Sequence, residues 1–160
     1  RIMESFLRLQ LPNSILILKA SCLRKHDYKL PNIHVIHEHL TNDQIEEIHR
    51  KCHCYVSFSN SEGVGMGAVE AAMHNNPVII SEYGGCSEYV KTPYTINCEK
   101  KKIGYNDFLF TSDLEWGDPD FDQLKDFMKD AYVKNLKYMN HFETRNLMNK
   151  VKKEIKTFLN

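Results

Sequence analysis

No stretch of this 160-residue chain is apolar for long enough to cross a membrane, and none has the pattern of a secretory leader. Net charge is missing too, because 21 lysines and arginines balance 21 aspartates and glutamates. That balance removes the electrostatic case for nucleic acid as a partner. The runs Lys100-Lys101-Lys102 and Lys150-Val151-Lys152-Lys153 read as solvated faces. An even set of cysteines is lacking. Five are present, and Cys52-His53-Cys54 is too tight to anchor a disulfide framework, so a reducing, cytoplasmic setting is expected. Internal repeats and low-complexity tracts are absent. Metal-ligand spacing is absent as well: His49 and His53 share a helix face, but no second pair stands at zinc-finger distance. No metal and no cofactor are therefore expected.

What is present is an alternation of strand-like and helix-like segments. Residues 1–10 have helical apolar spacing, and Pro12-Asn13 breaks it. Ile15-Leu16-Ile17-Leu18 reads as a buried strand, 21–32 as a charged loop, and Ile33-His34-Val35-Ile36 as the next strand. Thr41 or Asn42 can cap a following helix whose inward face holds Ile45, Ile48 and Cys52. Residues 87–90 form a helical turn and 94–97 a further strand. Residues 98–116 suggest a packed loop. Gly117-Asp118-Pro119 reads as a helix start, with Asp118 as cap and Pro119 in the first turn. Phe121, Leu124, Phe127, Met128, Ala131 and Tyr132 mark that helix's buried face, and a last helix is expected over 141–159. The length suits one domain, with an α/β core over 1–98 and a packed loop and two helices over 99–160.

Residues 55–81 organise the rest. Tyr55-Val56-Ser57-Phe58 is a short strand, residues 59–63 are turn-like, and Gly63, Gly65 and Gly67 lead into the helix former Ala68-Val69-Glu70-Ala71-Ala72-Met73. Asn75-Asn76 can take the left-handed conformation that ends a helix, Pro77 forbids its continuation, and Val78-Ile79-Ile80 is a buried strand. A glycine-led helix N-terminus offers unpaired amides and a positive dipole end, which suit phosphate or hydroxyl oxygens. Glu62 and Glu70 bracket the turn. As acceptors they suit the hydroxyls of a ribose or a sugar ring, not a phosphate. A nucleotide-sugar satisfies both halves of that site.

The run from Glu62 to Met73, followed by Pro77-Val78-Ile79, resembles the E-x7-E signature of retaining GT-B glycosyltransferases, family 4 in particular. Val64 replaces the family's usual aromatic, and Asn75-Asn76 replaces its usual glycine before the proline. The resemblance covers about residues 15–90. It implies a Rossmann-like parallel sheet with helices on both faces, ending in two helices: the carboxy-terminal half of a GT-B fold. It further implies retaining transfer from a nucleotide-diphosphate sugar to an acceptor (glycan, lipid or protein), without a metal ion. Glu62 would lie beside the transferred sugar as the catalytic carboxylate, and Glu70 would accept from the ribose. Amides of Gly63, Val64, Gly65, Met66 and Gly67 would hold diphosphate and sugar oxygens. Leu40 and Asn42 would lie near the base.

The family's basic pair for the diphosphate has no sure counterpart, and an amino-terminal domain would supply the acceptor contacts. The chain alone is therefore expected to bind donor weakly and to transfer nothing. Two other readings stay open. One is the dinucleotide-binding domain of an oxidoreductase, with Glu82 as the ribose acid, and the other is a non-catalytic binding module.

Overall fold

The computed structural model describes residues 1–20, 30, 32–106 and 108–134. Helix α1 (Ile2–Leu9) precedes strand β1 (Leu16–Lys19), which pairs in parallel with β2 (Ile33–Ile36), Leu16 opposite Ile33. Helix α2 (Asn42–Lys51) follows, then β3 (Tyr55–Val56), α3 (Met66–Met73), β4 (Val78–Ser81), α4 (Cys86–Tyr89) and β5 (Thr95–Ile96). Strands β3, β4 and β5 form a parallel sheet with β4 in the middle, Tyr55 opposite Val78 and Ile80 opposite Thr95.

The alternation of side chains along β4 builds two layers. Val78 and Ile80 pack against Ala68, Val69, Ala71 and Ala72 of α3 and Cys86 of α4. Ile79 points the other way, to Phe6 of α1 and to Leu124 and Met128 of α5 (Phe121–Lys134), the last helix among the described residues. All three β4 side chains are fully buried, each stabilising the fold by about 1.5–3 kcal/mol. A parallel sheet covered on both faces is the Rossmann-like α/β arrangement expected from the sequence. Strand β1 departs from its reading as buried: Leu16 and Leu18 join the core, while Ile15 is 70% exposed and Ile17 stays on the surface. An unbroken apolar run does not specify which face is covered.

The ends of α3 show why the central stretch folds as it does. Gly65, in the left-handed region (φ 69°), precedes the first helical residue. At the other end Asn75 takes φ 60°, its amide donating to the Ala72 carbonyl while that of Asn76 donates to the Ala71 carbonyl. This is a Schellman stop with asparagine in glycine's usual place. Thr41, not Asn42, caps α2: its hydroxyl accepts from the Gln44 amide, and the Gln44 side chain accepts from the Thr41 amide.

Residues 98–119 correct the sequence reading. They form an antiparallel hairpin of β6 (Cys98–Lys102) and β7 (Glu115–Pro119), Cys98 opposite Pro119, instead of a packed loop. Phe108 is 92% exposed at its tip. Gly117, Asp118 and Pro119 are strand residues, so the helix does not start there. Asp120 caps α5 instead, its Oδ1 accepting from the amides of Asp122 and Gln123. Leu124, Met128 and Ala131 are buried as expected, but Tyr132 is exposed and donates its hydroxyl to the Pro12 carbonyl. The helix expected over 141–159 lies outside the described residues, as does most of the loop over 21–32.

Candidate functional site

The loop between β3 and α3 lies beyond the carboxyl ends of the parallel strands, where such sheets take their ligands. It is clamped from two sides. Asn60 forms a reciprocal pair with Gly117 of β7: its side-chain amide donates to the Gly117 carbonyl at 2.8 Å, and the Gly117 amide donates back to its carbonyl at 2.9 Å. The Glu62 carbonyl accepts from the Gly85 amide at 2.9 Å. Gly84 and Gly85 lie so close to the backbone of Glu62 and Gly63 that a side chain at either would collide with it.

The loop glycines are held by different causes. A Cβ on Gly65 would lie 2.7 Å from Cys86 Sγ and 3.2 Å from Glu62 Cγ, and its φ is positive. A Cβ on Gly67 would strike the Tyr55 hydroxyl beneath it. Gly63 has open space around it. The first intrahelical bonds of α3 run from the Ala68 and Val69 amides to the Gly65 carbonyl. The amides of Met66 and Gly67 precede them and face the helix's open end. Val64 and Met66 are exposed on the loop.

The two glutamates sit in different surroundings. Glu62 is half-buried, its side chain turned toward Gly65, Cys86 and Tyr55. Burial, then Glu62, pushes the Cys86 thiol up to about 11, so Cys86 is a protonated packing residue at neutral pH. The Tyr55 phenol is raised by burial first, then by Cys86, Glu62 and Glu70. Glu70, with its side chain 43% exposed, faces the buried His49 of α2, Oε2 lying 3.7 Å from Nε2. Burial holds the His49 imidazole below its ordinary value; Glu70 opposes that shift and His74 adds to it. The inward face read from the sequence, Ile45, Ile48 and Cys52, leaves out His49, which is the buried residue of α2. Its place four residues after Ile45 was the signal for that position.

Leu40 is half-buried ahead of α2, and Asn42 is its exposed first residue, about 10 Å along the helix axis from His49. An open cavity of about 390 Å³ adjoins the loop, lined by Arg1, Ile2, Met3, Phe58, Asn60 and Asp118. Asp118 pairs with Lys101 at 3.0 Å and Asp120 caps α5, so both acids of Asp118-Pro119-Asp120 are engaged within the fold. Among the described residues no three histidines, cysteines or acids are grouped to hold a metal ion, and no helix is long and apolar enough to cross a membrane.

These features define a Rossmann-like α/β domain with a glycine loop opening a helix beyond the carboxyl ends of its parallel strands. The sequence matches the family of glycosyl transferases group 1 over residues 18–102, more than half of the chain, and the chain belongs to that family. The match runs from the end of β1 to the end of β6 and so takes in the whole glycine loop with both glutamates. It is a glycosyltransferase domain. No curated protein matches it.

Proposed function

We propose that the chain is the donor-binding half of a retaining glycosyltransferase of the family 4 type, taking a nucleotide-diphosphate sugar without a metal ion. The observation that carries this reading is the geometry of the Gly65 loop. A left-handed glycine with no room for a side chain opens α3, leaves its first amides facing outward, and has a carboxylate on either side. In this reading the amides of Gly63, Val64, Gly65, Met66 and Gly67 hold the diphosphate and sugar oxygens, supported by the positive end of the helix dipole. Glu70 accepts from the ribose hydroxyls. Glu62 lies beside the sugar and steadies positive charge as the glycosidic bond opens. Leu40 and Asn42 border the base, and an amino-terminal domain holds the acceptor.

The oxidoreductase reading needs Glu82 for a ribose. Its Oε1 instead accepts from the Cys98 amide at 2.8 Å, fastening β6 to the end of β4. The test is calorimetric titration of the chain with UDP, GDP, ADP and NAD. Saturable binding of a nucleoside diphosphate, with NAD weaker, is the expected result. Preference for NAD would overturn the reading.

A further inference from the structure

His49 is a buried polar residue that the donor reading does not use. The residue is 8% exposed, and its ring packs against two neighbouring elements. It stacks on His74 at the end of α3, with ring centroids 6.0 Å apart and planes 9° from parallel. It lies tilted against Tyr55 of β3 at 5.8 Å. Its own carbonyl accepts from the Asn76 side-chain amide, which ties the last turn of α2 to the stop of α3. Glu70 by contrast is half-exposed on α3, and a free glutamate there samples several rotamers. The two face each other at 3.7 Å, Nε2 to Oε2, just beyond hydrogen-bond length, a gap that a small rotation of the half-exposed Glu70 side chain closes.

We propose that His49 is a positioning residue for Glu70, its Nε2–H holding one carboxylate oxygen so that the other stays turned out to accept ribose hydroxyls. This rests on the reading of Glu70 as the ribose acceptor. An ionised carboxylate has only acceptors, so the nitrogen facing it carries the proton. The imidazole is neutral at pH 7, since burial lowers its pKa. A neutral donor orients the carboxylate without cancelling its charge, which a lysine or arginine would do. Glu70 then remains a charge-assisted acceptor. Fixing its rotamer before the donor arrives removes part of the ordering cost of binding.

The experiment is calorimetry on the full chain with UDP, GDP and ADP, and with the 2′,3′-dideoxy form of whichever binds tightest. It compares wild type, H49F, H49Q and E70A, each checked for fold by circular dichroism. Phenylalanine keeps the ring packing and loses the donor; glutamine keeps a donor and loses the ring. The expected H49F loss is roughly 3- to 10-fold for the ribonucleotide, the scale of one hydrogen bond. It should vanish for the dideoxy form and be restored by H49Q. Equal loss on both forms, or loss in H49Q but not in H49F, would make His49 a packing residue and overturn the proposal while Glu70 keeps its role. Unchanged affinity in E70A would overturn both. Nitrogen-15 spectra of His49 in the wild-type chain need no variant: the Nε2-protonated tautomer is expected, and the Nδ1-protonated one would overturn the proposal.

Discussion

Gly63 and Gly65 stand in one loop under opposite constraints. Gly63 has space for a side chain, while Gly65 meets Cys86 and holds a positive φ. G65A should therefore destabilise the fold by at least about 1–2 kcal/mol, the cost of a left-handed non-glycine residue, and G63A should leave it nearly unchanged. Urea denaturation of the two variants checks this. At Glu70, alanine should weaken nucleoside diphosphate binding by about 1–3 kcal/mol, the scale of a charge-assisted hydrogen bond. His49 predicts a pH effect of definite sign. Its folded pKa lies below the ordinary 6.5. As pH falls through that value the unfolded chain takes up a proton that the folded chain refuses, so stability drops until His49 itself protonates. H49Q should lose that part of the slope in stability measured between pH 7 and 5. An unchanged slope would show that His49 does not carry it.

At the scale of elements, the boundaries of α5 separate two accounts of the same aspartates. Asp120 accepts two amides at the helix start, and Asp118 makes an exposed ion pair with Lys101. D120A should cost about 0.5–2 kcal/mol, as loss of a helix cap does. D118A should cost no more than about 1 kcal/mol. A larger loss from D118A in thermal unfolding would contradict the observed cap. The hairpin of β6 and β7 was illegible for a physical reason. Glu99, Lys100, Lys101 and Lys102 are all exposed, so no alternation of apolar and polar residues marks the strand. It is held by backbone pairing, by the Asn60–Gly117 bonds and by Glu82 on the Cys98 amide, all contacts between residues distant in sequence. Pro119, placed just before a helical pattern, imitates a first-turn proline. The segment from β3 to β4 was legible because glycine, asparagine and proline each fix the backbone locally, and Val78-Ile79-Ile80 is buried on both faces. His49, Tyr55 and Glu70 were not legible as a group, since only the packing of α2 on α3 brings them together.

In the whole molecule, the two faces of one short strand join two helical layers, and the glycine loop lies at the edge where they meet β7. The donor reading makes that edge the binding surface. The most direct measurement is an amide-shift titration of the nitrogen-15-labelled chain with UDP, GDP and ADP in the presence of EDTA. The account predicts that one of these nucleotides moves the amides of Gly63, Gly65, Met66, Gly67 and Glu70, together with the Nε2 resonance of His49. Shifts centred on the far side of the fold, around Pro93, Tyr94 and Phe127, or shifts that require added magnesium, would contradict it.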